Sequence, residues 1–197
     1  HLEARQRLVR VREPVSPVLE ITEIHTRLLA EKGPAVLFEN VEGFSMPLLT
    51  NLFGTVERVA WGMDREPYQL KELGETLAFF RQPVPPESFG QALELLPLVK
   101  VALAMKPKTV GRAPCQEVVL KGADIDLGML PVQTCWPGEP APLITWPLVV
   151  TKGPSDARED KFNLGIYRMQ VLGRDRTLMR WLKHRGGAQH HRRWGPS

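Results

Sequence analysis

Residues 163–187 read NLGIYRMQVL (163–172), GRDR (173–176) and TLMRWLKHRGG (177–187). In the last run Thr177, Met179 and Trp181 alternate with Leu178, Arg180 and Leu182, which is the period of a strand and puts Arg180 and Leu182 on one face. GRDR between two β-rich runs predicts a hairpin turn. Upstream, QEVVLK (116–121) and LITWPLVVTK (143–152) have the same texture. The second half therefore predicts antiparallel strands of a barrel or sandwich, too few to close. An unclosed barrel exposes its edges, so the expectation is of a chain cut at its C-terminus or one that needs partner strands.

Working outward, the first half reads as α/β. Ser16-Pro17 predicts an N-cap and first helical residue, with Ile21, Ile24, Leu28 and Leu29 on one face and Gly33-Pro34 as the stop. AVLFE (35–39) predicts a strand, Asn40 to Gly43 a turn, and MPLLTNL (46–52) a second strand. Leu70, Leu73, Leu77 and Phe80 predict a helix over 68–82, and a further helix broken at Pro97 is expected over 88–104. Proline clusters at 83–86, 107–114 and 131–147, interleaved with apolar residues, read as rigid connections. The boundary falls near 107–114, giving domains of 1–110 and 111–197. The fold class is α+β.

The charge is local. The 197 residues carry 26 Lys plus Arg against 22 Asp plus Glu, a net charge of +4. Residues 1–110 hold 13 basic and 14 acidic groups, whereas 163–197 hold eight basic groups against Asp175 alone. A hydrophobic share of 43% is that of a folded protein. No apolar run approaches the roughly 18–20 residues that a membrane helix needs. The chain opens HLEARQRLVR, with no initiator Met and no apolar signal core, so a trimmed chain is expected. Cys115 and Cys135 lie 20 apart with no CxxC, which predicts small core residues in a reducing, cytoplasmic compartment.

Asp124-x-Asp126-x-Gly128 opens like a calcium loop, but position 135 is Cys where the loop needs Glu, so a polar turn is expected. His190 and His191 match no zinc spacing and read, with Arg192 and Arg193, as a solvated basic tail. His184 differs because it would end a strand immediately before Gly186-Gly187, where backbone can approach a ligand. Arg168, Arg180, Lys183 and Arg185 on one hairpin, beside glycine N–H groups, predict an anion site, phosphate above all. A nucleic acid is the weaker owner of these cations: Tyr167, Trp181 and Trp194 are few, and no nucleic-acid-binding motif is present. No P-loop or GxGxxG occurs.

The segments LEITEI (19–24), GPAVLFENVEGFSMPLLTNLFGT (33–55), GRAPCQEVVLKGADIDLGMLPVQTCWPGEPAPLITWPLVVTKGP (111–154) and NLGIYRMQ…MRWLKHRGGA (163–188) resemble the UbiD decarboxylase family, in particular its 4-hydroxy-3-polyprenylbenzoate decarboxylase branch. NLGIYR followed by RWLxHRGG is the specific part. The resemblance implies an N-terminal portion of a longer enzyme: an α/β domain followed by the first part of a split β-barrel flavin-binding domain. It implies non-oxidative decarboxylation of an aromatic acid, 4-hydroxy-3-polyprenylbenzoate, to a 2-polyprenylphenol in ubiquinone biosynthesis.

The implied cofactors are prenylated FMN and Mn2+, often with K+. By resemblance, Asn163 and His184 are metal ligands. Thr145, Ile166, Tyr167, Arg168, Arg180, Trp181, Leu182, Arg185 and Gly186 contact the cofactor, and Arg168 is also the catalytic arginine that holds the substrate carboxylate. The resemblance also places a Glu metal ligand and an acidic proton donor downstream, so the isolated 197-residue chain is expected to be inactive. It implies a homo-oligomer, dimer or hexamer, in the cytoplasm. A polyprenyl substrate would favour peripheral association with the inner membrane face. Two alternatives stay open: a family member acting on another aromatic acid, and a non-catalytic flavin- or phosphate-binding portion.

Overall fold

The computed structural model describes residues 1–83, 85–86, 88–105, 108–157 and 160–195; Val84 and Pro107, within the proline clusters, lie outside this set. The chain forms two compact units, one of residues 1–52 with 121–197 and the other of residues 53–120. The described residues mix helices and strands, and no closed barrel is present among them. No described helix is long and apolar enough to cross a membrane.

In the first unit, β1 (Leu8–Val11), β2 (Ala35–Phe38) and β3 (Leu48–Thr50) form a sheet in the order β1-β2-β3. β1 runs parallel to β2, and β3 antiparallel to it. The expected strands 35–39 and 46–52 are thus present, while β1 was not anticipated. Its LVRV is a four-residue alternation inside a basic opening. Helix α1 (Glu20–Ala30) packs on this sheet through Ile21, with Ile24 and Leu28 alongside; Leu29 is turned outward. Val15, Ile21, Val36, Phe38 and Val41 make the core. Full burial of side chains such as Ile21 and Phe38 stabilises by about 1.5–3 kcal/mol each.

The expected Ser16-Pro17 start of α1 is corrected. Ser16 Oγ accepts from Val18 N, its own N–H donates to Glu20 Oε2 at 2.7 Å, and the helix begins at Glu20. Val18 instead bridges to Thr134, which holds the segment extended. The stop at Gly33 stands, for a packing reason: a Cβ there would lie 2.8 Å from Leu28 Cδ2.

The second unit is helical. Thr55 caps α2 (Val56–Gly62), and α3 (Leu70–Arg81) occupies the expected span. Ser88 caps α4 (Phe89–Glu94), and α5 (Leu96–Ala104) follows with Pro97 in its first turn, where a missing N–H costs nothing. The strand expected at 116–121 does not form. Pro114–Gln116 is a 3-10 turn, and Val118 and Val119 are exposed with no partner strand among the described residues. Cys115 is exposed, against expectation, whereas Cys135 in the first unit is buried.

The rest of the first unit carries two small antiparallel sheets. β4 (Leu143–Ile144), β7 (Met169–Val171) and β8 (Thr177–Met179) form one, in the order β4-β7-β8; β5 (Leu148–Thr151) and β6 (Asn163–Ile166) form the other. The two are halves of one long hairpin. Ile144 pairs with Met169 and Leu148 with Ile166, so three residues, 145–147, face two, 167–168. That one-residue excess is a bulge, placed where Pro147 lacks a ladder N–H. The expected hairpin turn joins β7 to β8, closed by Leu172 N donating to Arg176 O. β8 ends at Met179, earlier than the sequence predicts, so Arg180 to Arg185 is irregular chain. The residues expected to be a solvated tail form helix α6 (Gly186–Arg193). Asp126 Oδ1 accepts from Gly128 N and its Oδ2 pairs with Arg174, the expected polar turn.

Candidate functional site at the β6–α6 junction

β6 and β5 each present one face to solvent and one to α6. Leu148, Val150, Leu164 and Ile166 are all exposed and pair across the ladder, while Thr151 faces Asn163 on the other side. Asn163 Nδ2 donates to Thr151 Oγ1 and to the Tyr167 hydroxyl, both at 3.3 Å. Tyr167, buried at the bulge, also accepts from Gly187 N at 3.0 Å. Its ring lies flat on Trp181, centroids 5.5 Å apart and planes 8° from parallel.

The glycines at the start of α6 make this approach feasible. A Cβ on Gly186 would collide with the Asn163 carboxamide, and one on Gly187 would lie 2.7 Å from Trp181. In the next turn His190 is only 4% exposed, and its Nδ1 sits 3.0 Å from Thr151 Oγ1. This corrects the reading of His190 as tail; His191 does remain exposed, its ring tilted against Trp181. Arg193 is likewise no free cation, since its Nη1 donates to buried Asp160 at 2.7 Å. Hydrogen bonds from Ser155 and Arg193 hold the Asp160 carboxyl below the usual range against the opposing effect of burial.

The irregular chain before α6 is pinned by its backbone. Arg192 donates to Lys183 O at 2.8 Å and Gln189 Nε2 to His184 O at 3.0 Å. The side chains of Arg180, Leu182, His184 and Arg185 are left exposed. Arg168, beside the bulge, is exposed too, as is half of Ile166; Thr145 is half-buried on the opposite arm of the bulge. No hydrogen bond or ion pair occupies the guanidinium of Arg168, Arg180 or Arg185 among the described residues. Burial pushes the Cys135 thiol up, and the Arg168 guanidinium nearby works against that shift.

The structure thus joins Asn163, Tyr167, Trp181 and Gly186 by direct contact. Of the others, Arg185 N–H donates to Leu182 O at 2.9 Å, while no side-chain hydrogen bond or ion pair links Thr145, Ile166, Arg168, Arg180, Leu182, His184 and Arg185 to one another among the described residues. Thr151, Asp160, His190 and Arg193 were missed. For Thr151 a signal existed: pairing the two β-rich runs in register sets it opposite Asn163. Chemically, the junction offers a carboxamide oxygen, an exposed imidazole and unpaired guanidinium groups, a set suited to a metal ion and to anionic oxygens. Among the described residues no group of three or more His, Cys, Asp or Glu could hold a metal unaided.

Comparison with protein families gives two matches along the chain. The 3-octaprenyl-4-hydroxybenzoate carboxy-lyase N-terminal domain matches residues 1–77, and the Rift-related domain of the same enzyme matches 108–196. The chain belongs to the UbiD family. Among solved UbiD-class structures, it resembles HmfF from Pelotomaculum thermopropionicum in complex with FMN, at 29% identity and a TM-score of 0.69 over 92% of this chain. An evolved dimeric form of HmfF in complex with prFMN gives 29% and 0.70. The closed form of vanillic acid decarboxylase from Sedimentibacter hydroxybenzoicus gives 27% and 0.74 over 96% of this chain. The chain spans about a third of their length, 35–37%.

Proposed function

We propose that this UbiD-family chain supplies the flavin-, metal- and carboxylate-recognising part of a carboxy-lyase that decarboxylates an aromatic acid. The observation that carries the reading is the β6–α6 junction, where the amide end of Asn163 is spent on Thr151 and Tyr167 and its oxygen is left against Gly186. An amide oxygen with the exposed imidazole of His184 fits a hard-to-borderline divalent metal such as Mn2+, with K+ as a companion ion. The unpaired Arg180 and Arg185, with Thr145, Ile166, Tyr167, Trp181, Leu182 and Gly186 around them, suit a flavin phosphate and ring.

Bound prenylated FMN would supply an electron acceptor for C–C bond cleavage, and a metal held by Asn163 and His184 would supply positive charge beside it. The role of Arg168 follows from its freedom: an unpaired, permanently charged fork can take a carboxylate bidentately and orient it for loss of CO2. Tyr167 and Trp181, packed face to face, act as a rigid wall. Asp160 is not the proton donor in this reading, because Ser155 and Arg193 already hold it as a carboxylate. A split β-barrel completed by further strands accounts for the exposed apolar face of β5 and β6, with sequence domains of 1–110 and 111–197.

The substrate proposed is 4-hydroxy-3-polyprenylbenzoate, in keeping with the carboxy-lyase whose domains match. That assigns the product as a 2-polyprenylphenol for ubiquinone biosynthesis. With it go a cytoplasmic homo-oligomer and peripheral contact with the inner membrane face. A smaller aromatic acid is the second reading, favoured by the likeness to vanillic acid decarboxylase. The test is the absorbance spectrum of full-length protein purified from cells that make prenylated FMN. Flavin absorbance retained by the wild type, and lost in Arg180→Ala and Asn163→Ala, supports the reading. A wild-type protein that retains no flavin overturns it.

A further inference from the structure

Behind Asn163 half-buried Thr151 meets buried His190, a side chain that the function above does not use. We infer that Thr151 and His190 are positioning residues that fix which end of the Asn163 carboxamide faces the metal. This rests on the reading of Asn163 as a metal ligand.

A carboxamide can turn over at little steric cost, and only one sense leaves its oxygen free to ligate. Around Asn163 the partners at Nδ2 are two hydroxyls, Thr151 Oγ1 and Tyr167 OH, and a hydroxyl can either give or take a hydrogen bond. Gly187 N–H, an obligate donor, takes one lone pair of the Tyr167 oxygen but leaves its proton unassigned. Thr151 decides the matter. Thr151 Oγ1 lies 3.0 Å from His190 Nδ1; in the tautomer that carries its proton on Nε2, Nδ1 accepts and the one Thr151 proton goes to it. The Thr151 oxygen can then only accept, so the NH2 end of Asn163 must face it and Oδ1 must turn toward Gly186. A Thr151 proton free to point at Asn163 would stabilise the opposite sense and take the oxygen away.

The placement of these residues fits that role. Thr151 is cross-strand partner to Asn163 in the β5–β6 ladder, and His190 lies one helical turn beyond Gly186, on the buried side of α6. A histidine and a threonine serving only to glue α6 to the hairpin would need no directed donor–acceptor order. The two roles therefore separate on conservative variants.

The experiment titrates full-length enzyme, with FMN present, against Mn2+ and follows the free-ion electron paramagnetic resonance signal. Circular dichroism melting of each variant accompanies it. Thr151→Val and His190→Leu, which keep shape and remove the relay, should raise the Mn2+ dissociation constant by about 10–100-fold, the usual cost of losing a partner behind a metal ligand. Thr151→Ser keeps the hydroxyl, and His190→Asn puts an acceptor oxygen near the position of Nδ1; both should stay within about threefold of wild type, whatever their melting temperatures. The inference is overturned if Thr151→Val and His190→Leu bind Mn2+ like wild type while Asn163→Ala does not. It is also overturned if all four variants lose affinity in step with melting temperature, since that is the mark of glue. A wild type that takes up no Mn2+, or an Asn163→Ala that binds normally, overturns the assignment of Asn163 itself.

Discussion

Gly187 gives its backbone N–H to the phenolic oxygen of Tyr167 at 3.0 Å, tying the first turn of α6 to the bulge between β6 and β7. That oxygen joins Thr151–His190 and Asp160–Arg193 in holding α6 against the β5–β6 hairpin that carries Asn163.

Replacing Tyr167 by Phe keeps the stack on Trp181 and removes the oxygen. Gly187 N–H is buried and would be left without an acceptor, and Asn163 would lose one of its two holds. The expected cost is about 1–3 kcal/mol, the penalty for an unsatisfied buried donor. Urea unfolding of the full-length protein measures it; a change below a few tenths of a kcal/mol would mean that water replaces the phenol.

Glycine-to-alanine changes should have opposite signs at two positions. At Gly187 a Cβ would sit 2.7 Å from Trp181, forcing that ring off Tyr167, with a loss of about 1–3 kcal/mol as in other overpacked sites. At Gly74, inside α3, a Cβ meets nothing within 4 Å, so Gly74→Ala should gain about 0.4–1 kcal/mol from reduced freedom of the unfolded chain. Thermal melts of the pair, with opposite shifts, check both.

The Asp160–Arg193 pair makes a signed pH prediction. The Asp160 carboxyl is held below its ordinary value, chiefly by the Ser155 hydroxyl and then by Arg193. A carboxyl with a depressed folded-state value stabilises fully above its unfolded value, near 4, and ceases to do so as pH falls through the lower folded one. Asp160→Asn should therefore be less stable than wild type at neutral pH, with the gap closing below about pH 4. Denaturation midpoints from pH 7 down to 2 test this, and parallel profiles would refute it.

Much of the scaffold was legible because it is apolar in short runs or at helical period. Ala35 to Phe38 is a short unbroken apolar run, and Leu70, Leu73, Leu77 and Phe80 repeat at helical spacing. Helix α6 escaped that reading because its buried face is Gly187, Ala188 and His190, residues that no apolar stripe marks as core. The same blindness hid His190 as a partner of Thr151. His184 and the arginines stood out from the residues themselves as an anion site, but their roles toward a cofactor, and Asn163 as a metal ligand, come only by resemblance. The bulge opposite Tyr167 and Arg168 was beyond reach, because it is a property of two strands in register and not of either sequence. Residues 116–121 misled in the other direction: β-rich composition makes a strand only where a neighbour completes the ladder.

The most direct test of the proposed chemistry is CO2 release by the full-length protein reconstituted with prenylated FMN and Mn2+, assayed on 4-hydroxy-3-polyprenylbenzoate and on vanillic acid, with Arg168→Ala beside the wild type. We predict cofactor-dependent CO2 release by the wild type and a loss of at least about 100-fold in kcat/KM in the variant, the scale for removing one group that holds the reacting carboxylate in place. Wild-type protein that binds the cofactor yet releases no CO2 from either acid, or an Arg168→Ala enzyme as fast as wild type, would contradict it.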